Sequence, residues 1–526
     1  MKQRLLLLIT LLPGILLAQQ KVIFPDNFST SLDGKEVTII NQLTITDTRK
    51  LNSNGILTLA AERIQSATEE NIPGKEMYTQ WLNNFPERIL SLKTDKTAFY
   101  RTGQQVTNLT GTVSVDKGVY TIIPKTVPTF TGNERTLHPK ETGSPYNLKI
   151  ASFNLNFYIS NSSLWNSQYG AANQAEFTRQ RTKILTALKA MNADIYALCE
   201  VGEGRTAVQD IVNGLNEADG TDKYAYIDSG DSHESTYTKN VFVYNTNKIT
   251  PYKEFRTIGS YLKLRHVAQA FDLKENQERL IISLNHFKSK SSGNGSNADQ
   301  YDGQGSSNIQ RQSEARTLVN ELNALISYYE DPDILILGDL NAYSKEDPIR
   351  ILTNASLINL LEQFSPRDYS YVYNGATGYL DHSIASISMS KQVTDAFPWH
   401  INADEQSKFG YKYAADYSPD PYRCSDHDPI ITTLMLGQTT GSGHQEVTAK
   451  NRIQIFGNPR DGYLTLKGEN INKVEVLSVS GQIIVTNTIY PSESYFILPT
   501  DGLAKGFYLI RVYNGGSCTT LKIIIP

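Results

Sequence analysis

Short apolar runs that end in polar residues recur through the middle of the chain. The run at residues 334–337 is unbroken, follows the turn signal Asp331-Pro332 and stops at Gly338. It is too short for a helix, so it predicts a strand that is covered on both faces, in the middle of a sheet. Asp339 and Asn341 follow the strand, and both point the same way if the backbone stays extended. This is typical of a metal or phosphate site, although a strand followed by a polar turn has the same pattern.

The same pattern of a strand followed by polar side chains repeats along residues 148–436. Amphipathic patterns at 181–191 and 309–329 predict helices that lead into two of the strands, so this region is predicted to be α/β. Strands that deliver polar groups from their ends commonly build active sites in layered α/β proteins. The remaining polar clusters hold Asn154, Glu200, Asn285, His286, Asp381, His382, Asp426, His427 and Asp428.

The two ends of the chain have a different pattern. Residues 21–130 and 453–512 contain β-branched runs separated by Gly, Asn and Asp, which predict a small barrel and a small sandwich, respectively. A tract with Gly and Pro at 131–147 and a Gly-containing polar tract at 438–450 predict linkers. We therefore expect a first β domain at 19–130, a central domain at 148–437 and a C-terminal domain at 451–526.

Residues 1–18 have the form of a secretory signal. Lys2 and Arg4 precede an apolar core at 5–12, and Ala18 is a small residue suited to cleavage. The apolar stretch is too short for a membrane anchor, and no other segment is long enough to cross a bilayer. We therefore expect an exported protein with no stable membrane span.

Composition narrows the chemistry. The net charge of −4 over 526 residues provides no global positive field for nucleic acid, so binding of a polyanion must be local or assisted by a metal. The three cysteines are far apart, which indicates neither a disulfide scaffold nor a zinc site. Oxygen donors without thiolates favour Mg²⁺ or Mn²⁺, with Ca²⁺ as a further candidate.

Taken in chain order, the polar clusters resemble those of the endonuclease/exonuclease/phosphatase superfamily, the fold of pancreatic deoxyribonuclease. Residues 264–271 and the stretch DGQGSSNIQRQSEA at 302–315 resemble the large secreted bacterial nucleases in particular. The resemblance covers residues 148–436 and implies an α/β fold in which two packed sheets lie between helical layers (α-β-β-α). Cys199 stands where the family usually has Gln before its catalytic Glu, and we expect this change to be tolerated.

The resemblance also implies roles for individual residues. Glu200 is the expected principal ligand of the divalent cation, with Asn154 and Asp426 close to the ion. His427 is expected to orient the phosphate or act as a base, with Asp381 as its carboxylate partner.

Four further residues complete the expected site. Asp339 and Asn341 match residues that position the attacking water and a phosphate oxygen. His286 resembles the general acid that protonates the leaving 3′ oxygen. Arg265 is expected to hold a flanking phosphate.

Two further resemblances concern the ends of the chain. LDGKEVTIINQLTITDT and NSNGILTLAAERI resemble the OB-fold-like domain that precedes the catalytic domain in large secreted nucleases. No face of basic and stacking aromatic residues is evident there, so a structural role is at least as strongly favoured as binding of single strands. GNPRDG, VEVLSVSGQ, LAKGFYLIRV and LKIII resemble the C-terminal sorting domain of the Bacteroidetes type IX secretion system, with a carbohydrate-binding or fibronectin-like module as the alternative.

The sequence thus predicts a secreted or surface-located, monomeric, metal-dependent nuclease that interacts with the type IX secretion machinery. Its expected reaction is hydrolysis of phosphodiesters of DNA, with RNA as a further candidate, through in-line attack by an activated water. Two alternatives stay open. One is another phosphoester hydrolase of the same fold, such as a sphingomyelinase or an inositol-phosphate phosphatase. The other is a surface binding protein whose hydrolase site is inactive.

Overall fold

The computed structural model describes residues 20–230, 238–259, 263–437, 453–456, 459, 462–478, 482–514 and 517–525. The predicted signal at 1–18 and the predicted linker at 438–450 lie outside these ranges. None of the described helices is long and apolar enough to cross a membrane.

The N-terminal region consists mainly of strands, as its β-branched runs predict. All but the fifth strand join one sheet in the order β1-β2-β8-β9-β6-β4-β3-β7 around a buried aliphatic core, and the OB-like barrel stays a prediction. The strands are β1 (Gln20–Val22), β2 (Glu36–Ile39), β3 (Leu43–Asp47), β4 (Ile56–Ala60), β5 (Ile64–Gln65), β6 (Leu90–Lys93), β7 (Gln105–Val106), β8 (Leu109–Asp116) and β9 (Val119–Pro124). Three α-helices interrupt them, α1 (Leu51–Asn54), α2 (Ala67–Glu70) and α3 (Lys75–Asn84).

The central region contains two six-stranded sheets. One has the order β12-β13-β11-β10-β23-β22 and the other the order β14-β15-β16-β17-β21-β18. The strands are β10 (Leu148–Tyr158), β11 (Ile195–Gly202), β12 (Tyr224–Tyr226), β13 (Thr238–Asn245), β14 (Ile249–Thr257), β15 (His266–Leu273), β16 (Arg279–Asn285), β17 (Ile334–Asp339), β18 (Ile358–Asn359), β19 (Tyr371–Tyr373), β20 (Ala376–Gly378), β21 (Asp381–Ala385), β22 (Val393–Pro398) and β23 (Ile430–Leu434). The helices are α4 (Gln174–Met191), α5 (Thr206–Asp219), α6 (Asn308–Tyr329), α7 (Asp347–Asn354), α8 (Leu360–Phe364) and α9 (Ile387–Ser390).

The strand β17 shows how these layers are packed. Leu335 and Leu337 belong to the core between the two sheets, whereas Ile334 and Ile336 pack with α6 on the outer face. On the other sheet, Tyr196 and Leu198 of β11 pack against α4 and α5 in the same way. Because side chains alternate along a strand, an unbroken apolar run is required where both faces are covered. The predicted α-β-β-α architecture is confirmed.

The C-terminal region is all-β, as predicted. Its strands form one hydrogen-bonded sheet in which β25 and β26 are long and change register along their length. They enclose a core of their own that includes Leu466, Val474 and Ile510. The strands are β24 (Gln454–Phe456), β25 (Tyr463–Ser478), β26 (Ile483–Pro499), β27 (Gly506–Asn514) and β28 (Ser517–Ile525).

The N-terminal and central regions share a sheet and a buried ionic cluster. Strand β5 pairs in parallel with β20, which also pairs with β19. The fully buried carboxylate of Asp404 accepts hydrogen bonds from Arg63 (3.1 Å), the hydroxyl of Thr102 (2.5 Å), Asn133 (2.6 Å) and the hydroxyl of Tyr369 (2.8 Å). Asn133 belongs to the predicted first linker, so this tract also joins the two regions.

Candidate active site

The backbone bends sharply where β10 and β11 reach the edge of their sheet. The two strands run in parallel until Asn154 pairs with Cys199, and their register then shifts. Asn156, Phe157 and Glu200 all have positive φ, between 51° and 60°, which is uncommon for residues other than glycine and clusters at functional sites. The bend directs the N–H of Phe157 to the Glu200 carboxylate at 3.0 Å. Local backbone strain therefore orients this carboxylate.

Strand β17 of the second sheet delivers Asp339 to the same edge. Asp339 lies opposite Asp381 on the antiparallel strand β21. The N–H of Asn341 donates to the Asp339 carboxylate at 2.9 Å, which closes a polar turn directly after the strand. The same turn presents the Asp339 carboxylate at the edge of the sheet. Gly338 has φ +122°, and a Cβ at this position would lie 2.0 Å from the carbonyl oxygen of Asn285. Glycine is therefore required for the two strands to approach this closely.

His427 is fixed by a hydrogen bond between its Nδ1 and Asp381 Oδ2 at 2.8 Å. The hydroxyl of Ser370 donates to the same carboxylate oxygen at 2.7 Å, and the ring of Tyr371 lies 4.8 Å from the imidazole. The other ring nitrogen, Nε2, lies 3.9 Å from Asp339 Oδ2. Burial by itself would lower the pKa of His427, but the carboxylates around it, above all Asp381, outweigh burial and raise that pKa well above its ordinary value.

His286 lies between the acids of the two sheets. Its Nε2 is 3.6 Å from both Glu200 Oε1 and Asp339 Oδ2. Burial lowers the pKa of His286 well below its ordinary value, and the nearby Arg265 guanidinium lowers it further. Arg265 itself donates to the carbonyl oxygens of His286 and Phe287, each at 3.1 Å. Arg265 therefore holds the His286 loop, and within the described chain it is not among the residues that line the cleft.

Burial disfavours the charged form of the carboxylates in this site. Burial raises the pKa of Glu200 to about 7, with the Asp426 charge as the second cause. Burial also raises the pKa of Asp339 to about 6, even though His427 counteracts it. The side-chain amide of Asn154 donates to Asp339 at 3.1 Å and also hydrogen-bonds to Glu200. Buried carboxylates of this kind, with amide oxygens nearby, fit a hard divalent cation.

Two groups of side chains are suited to such an ion. Glu200 with Asn154 and Asp426 is the set that the sequence predicts. Asp339, Asp381 and His427 form a second cluster, whose ligand atoms all lie within 4.8 Å of one another. In that cluster Nδ1 of His427 and Oδ2 of Asp381 already share a hydrogen bond.

The acids and imidazoles open into one cleft of about 820 Å³. Five of the predicted residues line it, namely Glu200, His286, Asp339, Asn341 and His427. Asn154 and Asp381 are buried behind them and act on the site through hydrogen bonds, whereas Asp426 is half-buried. The far wall of the cleft comes from the N-terminal region and includes Tyr78, Trp81 and Phe85.

Several residues that shape the site are missing from the sequence prediction. Ser370 donates to Asp381, Tyr371 packs on His427, and the hydroxyl of Ser425 donates to the main-chain oxygen of Asn154 at 2.7 Å. A lone serine in a loop has no signal in the sequence. The tyrosines around residue 371 alternate with other residues, which indicates a strand, and β19 is that strand.

Comparison with known proteins identifies two family domains in the chain. The profile of the Endonuclease/Exonuclease/phosphatase family matches residues 151–427, more than half of the chain, and that of the secretion system C-terminal sorting domain matches residues 454–526. The sorting domain marks the protein for type IX secretion, so it is located at the cell surface or outside the cell. No curated protein sequence matches the chain.

Three solved structures illustrate the similarity of the central region. An endonuclease/exonuclease/phosphatase from Bacteroides vulgatus is 13% identical, with a TM-score of 0.38 over 55% of this chain and 98% of that one. The human Nocturnin catalytic domain with bound sulfate is 15% identical, with a TM-score of 0.36 over 54% and 93%. A mannosyl-6-phosphatase from Bacteroides thetaiotaomicron is 15% identical, with a TM-score of 0.37 over 55% and 99%.

Proposed function

We propose that this chain, which belongs to the endonuclease/exonuclease/phosphatase family, hydrolyses phosphodiester bonds of nucleic acid outside the cell. One observation carries the proposal. Glu200, His286 and His427 come from distant parts of the sequence, yet each lies within 4 Å of another member of the same acidic cleft. In-line attack on a phosphoryl group requires positioned donors and charge stabilisation at one point, and this convergence supplies both.

The chain's own residues hold and orient the substrate. Asp381 accepts the Nδ1 proton of His427, which leaves Nε2 of that imidazole facing the cleft, where it can hydrogen-bond to a phosphate oxygen or to the attacking water. Asp339 and Asn341 are held against each other by the turn after β17 and would position the water. His286, at the opposite side of the acids, would donate a proton to the leaving 3′ oxygen.

Glu200 would hold the divalent cation together with Asp426 and Asn154, and we propose Mg²⁺ or Mn²⁺. When bound, such an ion polarises a phosphoryl oxygen and offsets charge that develops in the transition state. The chain prepares the position through the Phe157 N–H, which fixes one carboxylate oxygen of Glu200 and leaves the other directed to the cleft.

Nucleic acid is favoured over a small phosphoester because the cleft continues well beyond the catalytic groups. It extends from His427 past Tyr343 and Tyr371 to the aromatic residues of the N-terminal region. A polymer with phosphates and bases on both sides of the scissile bond would use this length. DNA and RNA both fit the proposal.

Hydrolysis of labelled oligonucleotides with Mg²⁺ and with chelator tests the proposed function. We expect cleavage with Mg²⁺ and none after chelation. His427→Ala should reduce the rate by about 10²–10⁴-fold, as expected for loss of a positioned acid or base. His138→Ala, an exposed histidine outside this cleft, serves as the matched control and should retain full activity.

The alternatives are assayed in parallel. Hydrolysis of sphingomyelin or inositol phosphates without any cleavage of oligonucleotides would replace the nuclease assignment with another phosphoesterase. Absence of turnover on every substrate, with normal circular dichroism, would favour the inactive binding protein.

A further inference from the structure

Helix α3 has an aromatic face that packs into no core. None of its ten residues is buried. Tyr78, Trp81 and Phe85, which follows the helix, are spaced at i, i+3 and i+7 and so share one face. In most helices such a stripe is buried against the rest of the domain. Here the three rings are half-buried and line the cleft that contains Glu200 and His427.

The three rings form a continuous row. The Tyr78 and Trp81 rings are 6.3 Å apart with an interplanar angle of 14°, and the Trp81 and Phe85 rings are 4.9 Å apart at 36°. The indole N–H of Trp81 is shielded from solvent and has no hydrogen-bond partner among the described residues. The row thus combines flat apolar surfaces with one unused donor.

The position of this row relative to the catalytic groups is fixed by the loop at 302–305. The N–H of Gly74, just before α3, donates to the carbonyl oxygen of Asp302 at 3.0 Å, and the hydroxyl of Thr68 donates to that of Gly303 at 3.3 Å. Gly303 has φ +94°, and a Cβ there would lie 2.7 Å from Thr68 Cγ2 and 3.3 Å from the Tyr78 ring. Glycine therefore lets the loop pass directly beneath the helix.

We propose that Tyr78, Trp81 and Phe85 form a ledge on which unpaired bases of a single-stranded polynucleotide stack while its scissile phosphate lies at Glu200 and His427. The proposal rests on the proposed function and narrows its substrate class to single strands. Aromatic side chains stack on any base, but only on bases that are not already paired and stacked within a duplex.

A membrane and a second copy of the chain are less suited to this face. Aromatic residues that insert into a bilayer protrude from a convex surface, whereas these rings line a concave wall shared with the catalytic acids. A second protein copy in this position would fill the cleft that the substrate needs. A flexible single-stranded polynucleotide can contact the ledge and the acidic centre at the same time.

Kinetics on three substrates test the ledge: a single-stranded oligonucleotide, the same sequence as a blunt duplex, and the small diester bis(p-nitrophenyl) phosphate. Trp81→Ala should lower kcat/KM on the single strand by about 5- to 150-fold, the range for loss of one base–aromatic contact. Hydrolysis of the small diester should not change, because it does not reach the ledge. Trp81→Phe should restore most of the loss, and Gln80→Ala, an exposed neighbour on the same helix, should match the wild type.

The outcomes separate the two proposals. If the wild type cleaves neither oligonucleotide, the proposed function is wrong. If it cleaves oligonucleotides but Trp81→Ala cleaves the single strand as fast as the wild type, the ledge is wrong. A parallel loss on the small diester would show that the substitution disturbs the catalytic centre, which also contradicts the ledge. Binding to phosphatidylcholine vesicles, or dimerisation, that Trp81→Ala abolishes would assign this face to a membrane or to a second copy instead.

Discussion

The two β-rich ends of the chain are related to the central region in opposite ways. The N-terminal region places β5 in a sheet with β20 and inserts Arg63 and Thr102 around the buried Asp404. The C-terminal region encloses its own core, and the chain reaches it through residues 438–452, outside the described ranges. The comparison indicates that the first β region is part of the cleft, whereas the second directs export. Similar strand content therefore says little about how closely a flanking region participates in a site.

Loss of the buried Asp404 carboxylate should give the largest change in the free energy of unfolding. Asp404→Ala leaves Arg63 without its buried partner and removes the acceptor shared by both regions, so we expect the free energy of unfolding to fall by about 3–5 kcal/mol. Chemical denaturation followed by circular dichroism measures the change. Asp416→Ala, an exposed position in the same region, should change it by less than about 0.5 kcal/mol. Equal effects of the two substitutions would contradict a shared ionic cluster.

The free energy of unfolding should also depend on pH, because His400 lies at the boundary between these two regions. The ring of His400 bonds to Asp428 and Asp368, each at 2.8 Å, while its main-chain oxygen accepts from Arg101 of the N-terminal region. Burial would lower the pKa of His400, but the two carboxylates outweigh it and raise the pKa to about 10.

A raised pKa means that the folded state binds the proton more tightly than the unfolded state does. The stabilisation is therefore complete below the unfolded pKa of about 6.5 and is lost as pH rises towards about 10. We expect the free energy of unfolding to fall by about 2–4 kcal/mol across that range. His400→Gln should flatten this slope in urea titrations at several pH values. Parallel slopes for wild type and variant would show that His400 does not titrate in this way.

A smaller effect should come from one hydrogen bond across the boundary. Thr102→Val keeps the shape of the side chain but removes the hydroxyl that donates to Asp404. We expect the free energy of unfolding to fall by about 1–2 kcal/mol, because the remaining donors still satisfy the carboxylate. Combined with Asp404→Ala, the substitution should add almost nothing, since residues that share a partner are not additive. Full additivity would mean that the two side chains act separately.

The smallest effect should follow removal of the C-terminal region. A chain that ends at Gly437 should retain the wild-type kcat/KM on oligonucleotides and on the small diester. Its thermal midpoint for the remaining regions should also be unchanged, because their cores contain no residue from β24 to β28. The same chain should no longer reach the cell surface. A truncated protein with weakened catalysis would contradict the division of roles between the two ends.

The sequence predicts the strands and helices of this protein better than the tertiary contacts of its side chains. The run at 334–337 predicts a strand covered on both faces because only a doubly buried strand needs uninterrupted apolar residues, and β17 confirms it. Helix α6 also lies where its apolar periodicity predicts. The prediction that the polar clusters meet depends on fold geometry, and Glu200, Asp339, His286 and His427 do lie together.

Other features depend on tertiary contacts that no local pattern encodes. The segments on both sides of α3 have a β pattern, so the sequence does not single out this helix. It also does not indicate that the aromatic face of α3 lies against the catalytic cleft. Arg265 carries a charge suited to phosphate, but its guanidinium is engaged by two main-chain oxygens. Its predicted contact with a flanking phosphate stays a prediction. Ser370 and Ser425 support the site through hydroxyls whose partners are distant in the chain.

The pairing of β5 with β20 has a consequence for the order in which the protein matures. The hydroxyl of Thr377 donates to the carbonyl oxygen of Ile64, 313 positions earlier in the chain. Strand β5 can pair only after the β19–β20 hairpin of the central region has formed, because β20 is its partner. We therefore expect the ledge of Tyr78, Trp81 and Phe85 to dock after that hairpin has folded. The acidic centre would exist before the complete groove does, and full activity on polymers would be the last property that the newly exported chain acquires.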